Sequence, residues 1–254
     1  MRTDRDSTRP LRRGIALLLS TLALAAVPTV SVQAAGAAAV ARPKVPDVSD
    51  RAGAQAAAEQ GLADYVTRKQ QHGAAGSSSF DLARAEDIAN TRIAGGFEVH
   101  TIAPKDLVAG RGDLRQMAQP TGIWRFFVKV AGKPVGLVTV QRMDGRWQAV
   151  SFGGAGLAQE LSDLMTEHAD VGAERLRFIR VHQAQTDLLE VTSPTDLQAR
   201  YAMLASARAA LSTEMQAARG SDDTQAKATP RLVDTYELLE PLRNAVKRNL
   251  GTQP

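Results

Sequence analysis

WRFFVKVAGKPVGLVTVQRMDGRWQAVSFGG (residues 124–154) reads as strands separated by turns. Trp124, Phe126, Val128 and Val130 alternate with Arg125, Phe127 and Lys129, the period of two that a strand with one covered face requires. AGKP turns the chain, VGLVTVQRM runs back, and RWQAVSF completes a meander. Asp144-Gly145 between the last two is a tight-hairpin dipeptide, because both residues tolerate positive φ. Antiparallel pairing is therefore the expectation.

The meander runs into VSFGGAGLAQE (residues 150–160), a strand-to-helix glycine cluster that invites comparison with a phosphate-binding loop. A dinucleotide loop needs Gly-x-Gly-x-x-Gly within a parallel βαβ unit. Gly154 and Gly156 fill two positions but Gln159 occupies the third, and no Lys-Ser/Thr follows as a Walker loop demands. The strand before it closes a hairpin. The glycines are thus expected to serve a sharp exit from strand to helix, with an anion held by the loop's backbone as the remaining alternative. No cofactor is expected.

Beyond the glycines, Leu157, Leu161, Leu164, Met165 and His168 form one helical stripe. RLRFIRVHQ and LLEVT read as two strands. Ser193-Pro194 opens a long helix to about residue 218, with the stripe Leu197, Tyr201, Leu204, Leu211 and Met215. Residues 219–230 read as a loose linker. Leu232, Tyr236, Leu239, Val246 and Leu250 suggest a last amphipathic helix that Pro241 kinks or restarts.

On the other side, Leu82, Ala85, Ile88 and Ala89 place a helix over 81–90, Gly95-Gly96 breaks it, and FEVHTIA (97–103) is a strand. Residues 104–122 are punctuated by Pro and Gly, with one helical turn around Leu114–Met117. Upstream, 35–79 reads as a linker carrying a helix over 51–71 with little apolar surface. The expected class is α+β: an antiparallel meander sheet packed on one face by helices, with a helical C-terminal extension. The expected organisation is a leader over 1–34, the linker over 35–79, an α+β domain over 80–218, and the linker and last helix over 219–254.

Arg2, Arg5, Arg9, Arg12 and Arg13 precede an almost uncharged run from Ile15 to Val32, and Val32-Gln33-Ala34 suits a signal peptidase. This is the pattern of a general secretory signal peptide cleaved near Ala34; a retained membrane anchor is the rival, since a run of about 18 residues approaches the length of a span. Arg12-Arg13 lacks the flanks of a twin-arginine signal. Residues 1–34 hold five Arg against Asp4 and Asp6, so they supply three of the net +4, leaving about +1 in the mature chain. So neutral a protein lacks the electrostatic footprint for nucleic acid, and once the leader is cleaved no membrane contact is expected. The absence of cysteine excludes thiol nucleophiles, disulfides, haem attachment and cysteine zinc sites.

The remaining chemistry-bearing residues do not converge along the chain. His72, His100, His168 and His182 show no HxH or HExxH spacing. Ser151 lacks a Gly-x-Ser-x-Gly elbow. Glu86-Asp87, Asp222-Asp223 and Glu237/Glu240 read as solvated acids. Arg111-Gly112-Asp113 spells an adhesion tripeptide, but Gly-Asp also suits a turn. The aromatic cluster in the meander is explained by cross-strand packing. Its alternative is a ligand-facing wall of Trp124, Phe127 and Trp147, with His100 or His182 as polar groups.

The element order, with Trp124, Val130, Gly132, Lys133, Gly136, Val140, Asp144, Gly145 and Trp147 as its pattern, resembles small exported domains of cystatin-like and PepSY-like type. The resemblance covers roughly residues 80–192. It implies a curved antiparallel sheet around a helix and a role as inhibitor, propeptide or accessory module. The inhibitory Gln-x-Val-x-Gly signature is not reproduced, since Gln148-Ala149-Val150-Ser151 continues into Phe152. The resulting expectation is an exported, non-catalytic binding or accessory protein engaging a protein or peptide partner. The alternative is a small-ligand carrier or enzyme whose site is built on the sheet, recognisable by a deep apolar pocket.

Overall fold

A computed structural model describes residues 48–71, 79–110, 112–194, 198–219 and 231–251. The expected leader, residues 35–47 and the segment 220–230 lie outside the described residues.

The meander is present as read: β2 (Ala118–Val130), β3 (Lys133–Met143) and β4 (Arg146–Gly153) pair antiparallel in sequence. Ala131 and Gly132 form the first turn at φ 48° and 82°, and Asp144 and Gly145 the second at 51° and 76°. Both two-residue turns thus take the left-handed conformations that match the strands' twist. β1 (Arg92–Ile102) joins β2 on its other side, so the strand begins five residues earlier than Phe97. Gly95-Gly96 does not break the chain; it forms a bulge within β1, with Gly95 at φ 66°. A Cβ on Gly96 would stand 2.3 Å from Phe126 Cδ1, so glycine lets that ring lie across β1.

Beyond β1 come β5 (Leu176–Val181), β6 (Thr186–Thr192), β7 (Ala199–Met203) and β8 (Leu232–Asp234), in the order β4-β3-β2-β1-β5-β6-β7-β8. The β1–β5 pair is parallel, Val99 opposite Phe178, and joins two antiparallel halves. The chain reaches β5 from β4 through helix α4 (Ala155–Glu167). The sheet is therefore mixed, mostly antiparallel, within an α+β fold.

Because neighbouring strand residues point to opposite faces, Phe126 and Phe127 separate two cores. Phe126, Trp124 and Val128 pack with Ala54, Ala58, Leu62 and Tyr65 of helix α1 (Val48–Gln71). Phe127 packs instead with Ala158, Leu161 and Leu164 of α4, so helices cover both faces. In the second half Leu188 and Leu189 divide likewise. Leu188 lies with α2 (Pro104–Ala109), α3 (Leu114–Met117), α5 (Ala205–Arg219) and α6 (Thr235–Gly251), and Leu189 with α4.

Four expectations are corrected. The helix over 81–90 is only a 3-10 segment, Ala85–Asn90, because Phe80 is anchored in the α1 core and Asp81 N–H donates to Val135 O at 2.9 Å. The long helix after Pro194 gives way to β7, whose Ala199 and Tyr201 alternate into the core; α5 begins at Ala205. The last helix runs through Pro241 and buries Leu238, Leu242, Ala245 and Val246, leaving Tyr236 exposed. Helix α1 belongs to the core through its alanines, which an apolar stripe of large residues does not register.

Candidate functional site

At the N-terminal end of α1 the sheet opens into a cleft of ≈ 570 Å³ lined by Asp50, Glu98, Thr121, Trp124, Arg142 and Trp147, among others. Strand register builds it. Glu98 of β1 stands opposite Trp124 of β2, Trp124 opposite Val140 of β3, and Arg142 opposite Trp147 of β4. Two neighbouring rows on the same face, Glu98–Trp124 and Arg142–Trp147, thus present a carboxylate, two indoles and a guanidinium to the side that α1 covers. Gly53 of α1 lets the helix approach: a Cβ there would stand 2.7 Å from Trp147 Cδ1.

The charges are arranged in two sets. Arg142 Nη2 donates to Asp50 Oδ1 at 2.5 Å, and its Cζ lies 4.8 Å from the Trp147 ring centroid, a cation–π contact. Glu98 has no such cation among the described residues. Its Oε1 accepts the Gly122 N–H at 3.1 Å, while Oε2 is buried without a hydrogen-bond partner. Burial raises the Glu98 carboxyl above its ordinary value, the nearby Asp50 charge adds to this, and the Gly122 N–H opposes it. The Thr121 hydroxyl donates to Val99 O at 2.6 Å.

Of the aromatic wall read from sequence, Trp124 and Trp147 line this cleft together. Phe127 lies on the opposite face, tilted against Phe97 at 5.7 Å between centroids. His100 sits apart, its Nδ1 3.3 Å from Glu98 O; burial, with Arg177 adding repulsion, lowers it to about 4. His182 is exposed in a separate hollow with Arg180, Asp187 and Ser206. Glu98, Asp50 and Arg142 were not singled out by sequence. Glu98 continues a regular Phe-Glu-Val-His alternation that reads as a solvated face, and Asp50 ends a stretch whose composition reads as linker.

A second polar centre is closed by its own partners. Glu190, buried, accepts from Arg177 Nη2 at 2.5 Å, and Arg115 Nε lies 3.8 Å away. Asp113 caps α3 by accepting Arg115 N–H at 3.0 Å and also accepts from the Thr235 hydroxyl at 2.9 Å. The Asp113 carboxylate of the adhesion tripeptide is thereby engaged inside the fold; Arg111 lies outside the described residues. In the glycine loop, Gly153 and Gly154 adopt φ 134° and 72°, and the Gln159 side chain donates to Asp163. No cluster of three His, Asp or Glu side chains able to hold a metal ion occurs among the described residues, and no described helix is long and apolar enough to cross a membrane.

Comparison with protein-family models, with curated proteins and with solved structures finds no match for this chain.

Proposed function

We propose that the chain is an exported, non-catalytic binding protein that takes an extended peptide segment of a partner along the outer edge of β4. The observation that carries this reading is that Trp147 belongs both to that edge and to the cleft. Among the described residues β4 pairs only with β3 and forms one end of the sheet. From Trp147 to Gly153 it contains no charge and no proline, two devices by which sheets blunt an edge. The opposite edge, β8, is three residues long. A strand laid beside β4 would gain main-chain hydrogen bonds, with alternate side chains supplying selectivity. Between Thr139 and Val140 the register shifts so that Val150 is the bulged residue, which concentrates pairing on Arg146–Ala149.

The basic, then apolar, leader supports export, and the resemblance to cystatin-like and PepSY-like domains supports an accessory role. The near-neutral mature charge favours a protein partner over nucleic acid. Peptides selected by phage display on the immobilised protein test the reading. Amide exchange across β4 should slow when they bind. Protection confined to another surface would sink it.

A second reading rests on Glu98 alone. A carboxyl raised by burial beside another carboxylate, in an aromatic cleft, is a setting for general acid catalysis on an oligosaccharide. Hydrolysis abolished by both Glu98→Gln and Asp50→Asn would establish it in place of simple binding.

A further inference from the structure

We propose that the cleft recognises a cationic group, an ammonium or guanidinium on a peptide side chain, held between the Glu98 carboxylate and the Trp124 ring. This names the ligand class for the binding reading above and rests on its binding role, not on strand addition at β4.

The argument starts from charge. Among the described residues, Asp50, Glu98 and Arg142 are the ionisable side chains that line the cleft, and Asp50 and Arg142 pair with one another. No cation among the described residues pairs with the carboxylate of Glu98. Its Oε2 is a buried acceptor to which no donor points. An ammonium or guanidinium supplies both donors and the opposite charge, whereas a hydroxyl supplies only a donor and an anion supplies repulsion.

The cleft itself contains the template. On one side Asp50, Arg142 and Trp147 set a carboxylate, a cation and an indole in contact. On the other, Glu98 and Trp124 stand opposite one another across the β1–β2 pair and repeat the carboxylate and the indole without a cation among the described residues. A volume of ≈ 570 Å³ is within the range of small-ligand clefts.

Among the described residues, the groups that line the cleft with Glu98 are Asp50 from α1, Arg142 from β3 and the Gly122 N–H from β2. A cation beside the Glu98 carboxylate counters the burial and the Asp50 repulsion that raise this carboxyl. Binding should therefore weaken as acid protonates Glu98.

The test is titration of the full chain at pH 7, followed by tryptophan fluorescence and NMR, with the N-methylamides of Nα-acetyl-lysine, Nα-acetyl-arginine and the neutral isostere Nα-acetyl-norleucine. At least one cationic probe should saturate with a Kd at least tenfold below that of norleucine. Glu98→Gln should abolish that preference, and Glu98→Asp should retain part of it; unchanged unfolding midpoints show that each variant folds. Equal binding of the neutral probe, or selectivity that survives Glu98→Gln, overturns the proposal. The two readings separate cleanly. Cation-selective binding without peptide protection of β4 removes the strand-addition reading and leaves this one standing. Selected peptides that protect β4 with no preference for Lys or Arg remove this one alone.

Discussion

Gly61 of α1 lies so close over Ala149 of β4 that a Cβ added to the glycine would stand 2.2 Å from the Ala149 Cβ. This contact sets how near α1 comes to the edge strand, and so how the roof of the cleft sits. Helix propensity alone would favour Gly61→Ala by about 1 kcal/mol. Overpacking opposes it with about 1–3 kcal/mol, so the expected result is a net loss of about 1 kcal/mol in urea unfolding. Adding Ala149→Gly to Gly61→Ala should restore most of it. Additive losses would show that the two positions are uncoupled.

The same contact explains where sequence was informative. The meander was legible because its large residues alternate and its turns carry Asp-Gly and Ala-Gly, all local signals. The core role of helix α1 is hidden in the sequence because it buries Ala54 and Ala58, and small residues leave no stripe. Tyr201 satisfied a helical spacing with Leu197 and Leu204, yet sheet burial of Ala199 and Tyr201 overrode it. The parallel β1–β5 pair and the meeting of Asp50 with Arg142 join residues about 80 to 90 positions apart, beyond any local pattern. Two of the five wall residues converge; Phe127 fails because consecutive strand residues cannot share a face with Trp124 and Phe126.

Glu190 is the buried acid of the second half, raised by burial while Arg177 and then Arg115 pull it down. Arg177→Met should destabilise by about 3 kcal/mol, the low end for breaking a buried pair, since among the described residues only Arg115, at 3.8 Å, remains beside the buried carboxylate. The pH dependence has a definite sign. A carboxyl whose folded value exceeds its unfolded value favours folding below the unfolded value of 4.5, and that advantage is lost as pH rises through the folded value. The deficit of Arg177→Met should therefore be largest at neutral pH and shrink on acidification. A deficit independent of pH would mean that Glu190 is not the residue left exposed to the loss.

His100 has the opposite sign. Its folded value, about 4, lies below the ordinary 6.5 because burial disfavours the imidazolium and Arg177 repels it. Its contribution is fully present above 6.5 and is lost as pH falls through about 4. The ring remains partly solvated, so the loss across that window should be about 1–2 kcal/mol after allowance for screening. Thermal unfolding from pH 7 to 4 should show a steeper decline for the native chain than for His100→Gln. Identical slopes would remove His100 as the cause.

The glycine loop yields the sharpest contrast, because its two candidate roles predict different variants. Gly154 is the residue preceding α4 and sits at φ 72°, ψ 39°, while the nearest atom to an added Cβ is Leu137 Cδ1 at 3.8 Å. Space is therefore available and the cost of Gly154→Ala is conformational, about 1–2 kcal/mol for a left-handed L-residue. Gly156 lies inside the first turn of α4 with nothing within 4 Å of an added Cβ. Gly156→Ala should accordingly be neutral or stabilise by up to about 1 kcal/mol. A loop used to bring backbone against a phosphate would respond differently: both variants would impair binding of an anion such as inorganic phosphate, whatever they did to unfolding. If the glycines serve the exit from β4 alone, Gly154→Ala lowers the urea midpoint, Gly156→Ala does not, and neither changes binding of the cationic probes. A Gly154→Ala chain as stable as the parent would mean that the left-handed exit is not required.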